Sequence, residues 1–309
     1  MTNEHPSLAD IASTQNDSTS LRYQLAKAHF YRSAKILYFA GAAFTLALAL
    51  VAPLVLLFRP SLGALLGAVA GAWIFVARLL LEPVRREFQL KGATAQEYFD
   101  CRVLGMPWNE ALARPLPDED ISAASRAGRR RAKRADRRRA KQVEQAKDWY
   151  AASDFQLDWP RSVLMCQRSN AVWACRQHRT YGRVLAGAAI VWFIIGIIVA
   201  LADAASLGTY LVTILLPSMP AFLDASELAR AHSSAARDRE LIREQMDVLI
   251  QQGTAETSEI REIQDQLFRL RREAPQVPEW FYQVIRPGYE EDMRYAVDEL
   301  IKRFDGGNS

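Results

Sequence analysis

Four long stretches of this chain hold a single charged residue among them, Arg78, and they come in two closely spaced pairs: 36–58 with 62–81, and 184–202 with 206–223. An α-helix needs about 20 apolar residues to cross the hydrocarbon core of a bilayer, and each stretch is close to that length. The pairs therefore read as two membrane hairpins on either side of a long polar segment. No alternating strand pattern is present, so the expected fold is an all-α membrane protein. It has four transmembrane helices and a helical cytoplasmic domain built from the middle segment and the C-terminal helices.

Charged residues make up 24% of the chain, but they are segregated from these stretches. On insertion scales the large aliphatic and aromatic residues of 184–202 contribute about −0.3 to −0.6 kcal/mol each, with no charge opposing them. A cleaved signal peptide fits poorly, because the first apolar run is too long and a second follows it at once. The chain is expected to stay one piece.

Lys and Arg set the orientation. Arg22, Lys27, Arg32 and Lys35 precede the first span, and Arg85, Arg86 and Lys91 follow the second. Arg176, Arg179 and Arg183 precede the third, and Arg230, Arg237 and Arg239 follow the fourth. The connecting tips hold Arg59 and Asp203, so the positive-inside rule places both termini and the middle segment in the cytoplasm. Cys101, Cys166 and Cys175 then face a reducing compartment, where structural disulfides are not expected. Cys175 and His178 have ligand-like spacing but no second pair accompanies them, so no metal site is expected.

Residues 1–20 are rich in Ser, Thr and Asn and are expected to be disordered. Residues 21–83 comprise an amphipathic juxtamembrane helix and the first hairpin, which turns at Arg59-Pro60-Ser61. Residues 84–182 form the cytoplasmic middle segment, broken by Pro107, Pro115 and Pro117. It carries a basic run at 126–141 that suits either a solvated helix or anionic lipid headgroups. No aromatic residues interleave with that run and no DNA-binding motif surrounds it, so DNA is not expected as a partner. Residues 183–224 hold the second hairpin, and 225–309 the C-terminal helices. There Gly253 offers a helix stop, and Ile260, Ile263, Leu267 and Leu270 make a seam that requires a partner helix.

Catalytic signatures are missing: no phosphate-cradling Gly-rich loop with Lys, no His-Glu-x-x-His, no Ser nucleophile elbow. His5, His29, His178 and His232 are scattered. No enzyme activity, catalytic residue or cofactor is expected.

Several strings resemble a known family. They are Gln24-Leu25-Ala26 with Tyr31 and Ala34-Lys35, Tyr98-Phe99-Asp100, Met106-Pro107-Trp108-Asn109 and Asp148-Trp149-Tyr150. Cys166-Gln167-Arg168-Ser169-Asn170 with Trp173, and Pro278-Glu279-Trp280-Phe281-Tyr282, complete the set. In this order around two hairpins, over about residues 21–303, they resemble the S-4TM family of pore-forming effectors. Two places depart from the family pattern, Ala174 where an acid is usual and Ala151 where a Pro is usual. The resemblance implies a role in bacterial cyclic-oligonucleotide-based anti-phage signalling (CBASS). There an effector in the inner membrane responds to a cyclic oligonucleotide by permeabilising that membrane, with growth arrest or death as the outcome.

Four spans leave little room for a lumen in one subunit, so a conducting form is expected to be a homo-oligomer. Gly63, Gly67 and Gly71 form a small-residue stripe suited to close helix packing, within the hairpin or between subunits. Thr209, Thr213, Pro217 and Ser218 are the candidate pore-lining residues, with Pro217 and Pro220 expected to bend the fourth span. For the ligand, Arg168, Asn170, Trp173, Arg176, Arg179, Trp149 and Tyr150 combine guanidinium groups that match phosphates with rings that stack on bases. The competing reading makes the same residues an interfacial anchor touching lipid headgroups. Trp280, Phe281 and Arg286 form a second patch, suited to core packing as well. At the level of the whole protein, the alternatives are a non-conducting membrane-anchored scaffold or adaptor and a small-solute transporter.

Overall fold

Residues 5–134, 147–150, 157–202, 206–211, 215–285, 288 and 295 are described by a computed structural model. Every regular element among them is helical. In chain order these are α1 (Leu8–Thr14), α2 (Ser18–Phe58), a 3-10 turn (Pro60–Leu62) and α3 (Gly63–Val76). A π-helical turn (Ala77–Leu81) then leads into α4 (Glu82–Val103), followed by α5 (Asp118–Arg134) and α6 (Arg161–Ala202). Last come α7 (Leu207–Tyr210), α8 (Leu216–Gln252) and α9 (Thr257–Glu273).

Among the described residues, three helical runs are long and apolar enough to cross a membrane: Ser18–Leu56, Gly63–Val103 and Arg161–Val199. Their apolar ends bury almost nothing. Leu54 and Phe58 on α2, Leu65 and Phe75 on α3, and Ile190, Ile194 and Ile198 on α6 are all exposed. Apolar surface of that extent is stable only against lipid or another apolar face. The fourth expected span, 206–223, is described only in part, because 212–214 lie outside the described residues. What is described of it is α7 and the start of α8.

The opposite ends of the same helices are polar on one face and make a packed body. Asp17 caps α2, accepting the Ser20 amide at 2.7 Å, and the helix then runs unbroken for 41 residues through the juxtamembrane segment and the first apolar stretch. The amphipathic segment and the span are thus one rod, about 60 Å long. Before Pro83 the chain passes from α3 into α4 through the π turn. There the proline lacks an N–H and its ring crowds the preceding turn, which the wider turn accommodates. Phe99 of α4, Leu104 just after it, Leu164 of α6, Met246 and Ile250 of α8, and Ile260, Ile263 and Leu267 of α9 meet in one core. The α9 seam therefore finds its partner helices within the chain. Gly253 ends α8 in the left-handed conformation at φ 72°, which a residue without Cβ adopts at little cost. On the other side of α2, Ala26 and Phe30 pack with Ala95, Ile121 and Ala124, which seats α5.

Some expectations differ from what is found. Within 1–20, residues 8–14 are helical: a capping box at Ser7 and Asp10 starts α1, and Leu8 and Ile11 reach the core. Besides these two side chains, hydrogen bonds tie the segment to the body: the Leu8 amide donates to the Leu157 carbonyl and Ser162 Oγ to the Pro6 carbonyl. Pro217 falls in the first turn of α8, and the expected bend of the fourth span involves 212–214, which lie outside the described residues. Gly67 and Gly71 face open space and Gly63 meets Leu56, so most of the small-residue stripe is unpacked within its own hairpin. The hairpin is tied instead by Trp73, whose Nε1 donates to Thr45 Oγ1 at 2.9 Å while its ring packs on Phe44.

Candidate functional site

Beneath the apolar ends, the body encloses a buried polar network centred on Asp100. This carboxylate is 0% exposed. Its Oδ1 accepts from Tyr150 Oη at 2.7 Å, and its Oδ2 from Arg271 Nη1 at 2.6 Å and Gln264 Nε2 at 2.9 Å. One turn earlier on α4, Glu97 accepts from Arg261 and, at 2.8 Å, from the same Gln264. Burial raises the Glu97 pKa, opposed by Arg261. Burial disfavours the charge on Arg271 as well, but Asp100, Tyr150 and Glu97 together outweigh it and hold the guanidinium protonated. The helices are locked to one another by these contacts. Asp100 and Glu97 belong to α4, Arg261, Gln264 and Arg271 to α9, and Tyr150 to the segment entering α6.

Tyr150 extends the network. Its amide donates to Gln15 Oε1 at 2.8 Å, Gln15 Nε2 donates back to its carbonyl, and Asn170 Nδ2 donates to its hydroxyl at 3.2 Å. Next to it, Trp149 presents its ring to Lys27, whose Nζ lies 3.4 Å from the ring centroid. Lys27 is buried, and burial pulls its ammonium down to about 7, with Asp100 opposing that shift and Arg271 adding to it.

Between this network and the apolar ends, α6 and α8 run side by side. Gly182 makes the closest approach: a Cβ there would meet His232 Cβ at 3.2 Å and the Ala229 carbonyl at 3.3 Å. Just below, His178 and His232 face each other with Nδ1 atoms 2.7 Å apart, and Tyr181 packs edge-on against His232. Burial depresses both imidazoles, His232 to about 4, with the Arg239 charge acting in the same direction. Lys35 of α2 donates to Glu279 at 3.0 Å, and Tyr181 packs on Phe281, which joins the C-terminal residues to the same junction.

The seven residues expected to contact a ligand separate into two groups. Trp149, Tyr150 and Asn170 come together beside Asp100. Trp173, Arg176 and Arg179 lie further along α6 toward its apolar end. Trp173 packs edge-on against Tyr282, and Arg179 pairs with Glu240 at 2.6 Å. Arg168 is committed to Asp247. Of the candidate pore residues, Ser218 is buried, Pro217 opens α8, Thr209 falls in α7, and Thr213 lies outside the described residues. The basic run is described as far as Arg134 and otherwise lies outside them. Lys27, Glu97, Arg261, Gln264 and Arg271 were not read as functional from sequence. Their signal was weak, because a charge on a helix ordinarily faces water. Yet Asp100, Tyr150, Asn170 and Gln167, whose Nε2 donates to Gln264, lie inside the strings that carry the family resemblance, and three of those strings meet in the network.

The arrangement defines a class: an all-helical, multi-pass membrane protein whose spans continue without a break into a body with a charged core. The chain belongs to the SMODS-associating 4TM effector domain family, whose pattern it matches over residues 9–300. It is also similar to a probable CBASS effector molecule of Bacillus cereus (strain VD146), at 23% identity over 94% of this chain and 97% of that protein. No solved structure matches it.

Proposed function

We propose that this chain is a CBASS effector that permeabilises the bacterial inner membrane when a cyclic oligonucleotide second messenger binds its cytoplasmic body. The single observation that carries the reading is the continuity of α2 and α6. Each is one helix from the buried network to its exposed apolar end, so a rearrangement in the body acts on the bilayer with no loop between. Family membership and the similarity to a probable CBASS effector support the signalling context. The proposed topology has four spans in two hairpins with both termini in the cytoplasm, as the distribution of Lys and Arg favours. Several subunits surround the conducting path, to which Thr209, Thr213 and Ser218 contribute. The unpacked Gly67 and Gly71 are consistent with contacts between subunits. A messenger opens such an assembly only by binding the open arrangement more tightly than the closed one.

The test is dye release from liposomes holding the purified full-length protein, with and without a panel of cyclic di- and trinucleotides. Release with at least one member is expected. Silence across the panel from folded, inserted protein would overturn the proposal and favour a non-conducting scaffold.

A further inference from the structure

Buried donors without acceptors collect along one stripe of α2 and on the groups beside it. Ser20, Gln24 and Lys27 recur at steps of four and three residues, which places them on one face of the helix. They are 0%, 2% and 7% exposed. The Ser20 hydroxyl has the Asp17 carboxylate as its neighbour, but Gln24 Nε2 and Lys27 Nζ have no hydrogen-bond partner among the described residues, and Trp149 Nε1 and Arg271 Nη2 are in the same condition. The groups are linked in the structure: Lys27 lies over the Trp149 ring, the next residue Tyr150 donates to Asp100, and Asp100 accepts from Arg271.

Folded proteins pair about nine-tenths of their buried polar groups, so four unpaired donors in one part of the body require an explanation. Asp100 does not supply the missing acceptor: the hydrogen bonds it takes come from Tyr150 Oη, Gln264 Nε2 and Arg271 Nη1, none of which is among the unpaired donors. The shared deficit is an acceptor with several oxygens and a negative charge, which describes a phosphate ester.

We infer that Gln24 and Lys27 of α2, with Trp149 and Arg271, form the site that receives a phosphodiester of the nucleotide. The inference rests on the gating reading above and names the place in the fold where that ligand is held. Lys27 supplies the charge, Gln24 and Trp149 supply neutral donors, and Arg271 adds its free Nη2 while its Nη1 stays on Asp100. Lys27 also belongs to the rod that becomes the first span, so occupancy here bears directly on a membrane helix. The ammonium, pulled down to about 7 by burial, is stabilised by an incoming anion, so binding near neutral pH takes up a proton.

The experiment uses the full-length protein in detergent, titrated with the cyclic di- and trinucleotide panel and, separately, with inorganic pyrophosphate. Binding and thermal stability are both read. Lys27→Met removes an amine that has no hydrogen-bond partner, so its melting temperature should hold or rise. Its affinity for the activating nucleotide should fall at least tenfold. Gln24→Leu leaves the charge in place and should weaken binding several-fold. Wild-type affinity should decline by up to about tenfold per pH unit above 7, and Lys27→Met should lose that dependence. Unchanged nucleotide affinity in both variants would overturn the assignment. If no nucleotide binds the wild type, the gating reading fails and pyrophosphate decides the site. Stabilisation of the wild type but not of Lys27→Met keeps it as an anion site, whereas stabilisation of neither, or of both equally, removes it.

Discussion

Replacing Asp100 with alanine should destabilise the body by about 3–5 kcal/mol, the range for breaking a buried ion pair by deleting one partner. The carboxylate is fully buried and the Arg271 side chain is 11% exposed, so neither charge has bulk water to fall back on. Without Asp100, the nearest carboxylate to Arg271 Nη1 is Glu97, at 3.9 Å and already held by Arg261 and Gln264. Tyr150 Oη would also lose its acceptor, a loss of about 1–3 kcal/mol when the group stays buried. Asp100→Asn keeps the shape and one acceptor oxygen, so it should cost less than Asp100→Ala. Chemical unfolding of the detergent-solubilised protein, followed by tryptophan fluorescence, reads the change. A double-mutant cycle with Arg271→Met isolates the pair. The double variant should be less destabilised than the sum of the singles by about 2 kcal/mol or more. A loss below about 1 kcal/mol for Asp100→Ala, with no coupling to Arg271, would refute the claim that this network holds α4 to α9.

Gly182→Val should push α6 from α8 and cost about 1–3 kcal/mol, because the groups a Cβ would meet are a backbone carbonyl and another Cβ, neither of which swings away. Thermal unfolding checks it, and a neutral result would mean the two helices do not pack as described. His178 and His232 have folded pKa values below the ordinary histidine value, so the unfolded chain binds more protons as the pH falls below about 6.5. Their contribution is therefore complete above about 6.5 and lost as pH drops toward 4, at up to about 1.4 kcal/mol per pH unit for each histidine. Replacing both with Gln should flatten stability over that window, and an unchanged pH profile would exclude the pair as its source. Gly67→Leu together with Gly71→Leu should leave the fold of the subunit intact, since both positions face open space, but should shift the oligomer distribution in cross-linking. An unaltered distribution would place subunit contacts elsewhere.

Three of the four expected spans were legible because the signal is local: a run of about 20 apolar residues needs no tertiary information to interpret. The helix stop at Gly253, the α9 seam and the break after Val103 were legible for the same reason. The polar core was hidden. Glu97 and Arg261 are 164 positions apart and Asp100 and Arg271 are 171 apart, and each taken alone resembles a solvated helix charge. Lys27 was read as one of four cations that orient the first span, and only packing under Trp149 shows that it is buried. Arg168 and Arg179, chosen for their affinity for phosphates, prove to be engaged by Asp247 and Glu240, acids lying in a helix that follows the second hairpin. Sequence order does not reveal such pairings, because they depend on how α6 and α8 align.

Electrical recording across a planar bilayer tests the central claim most directly, since it separates the side on which the nucleotide acts from the opening it causes. The account predicts discrete current steps when an activating cyclic oligonucleotide is added to the compartment facing the helical body, and none when it is added to the other. Current that is independent of the nucleotide, or a silent bilayer containing correctly inserted protein, would contradict it.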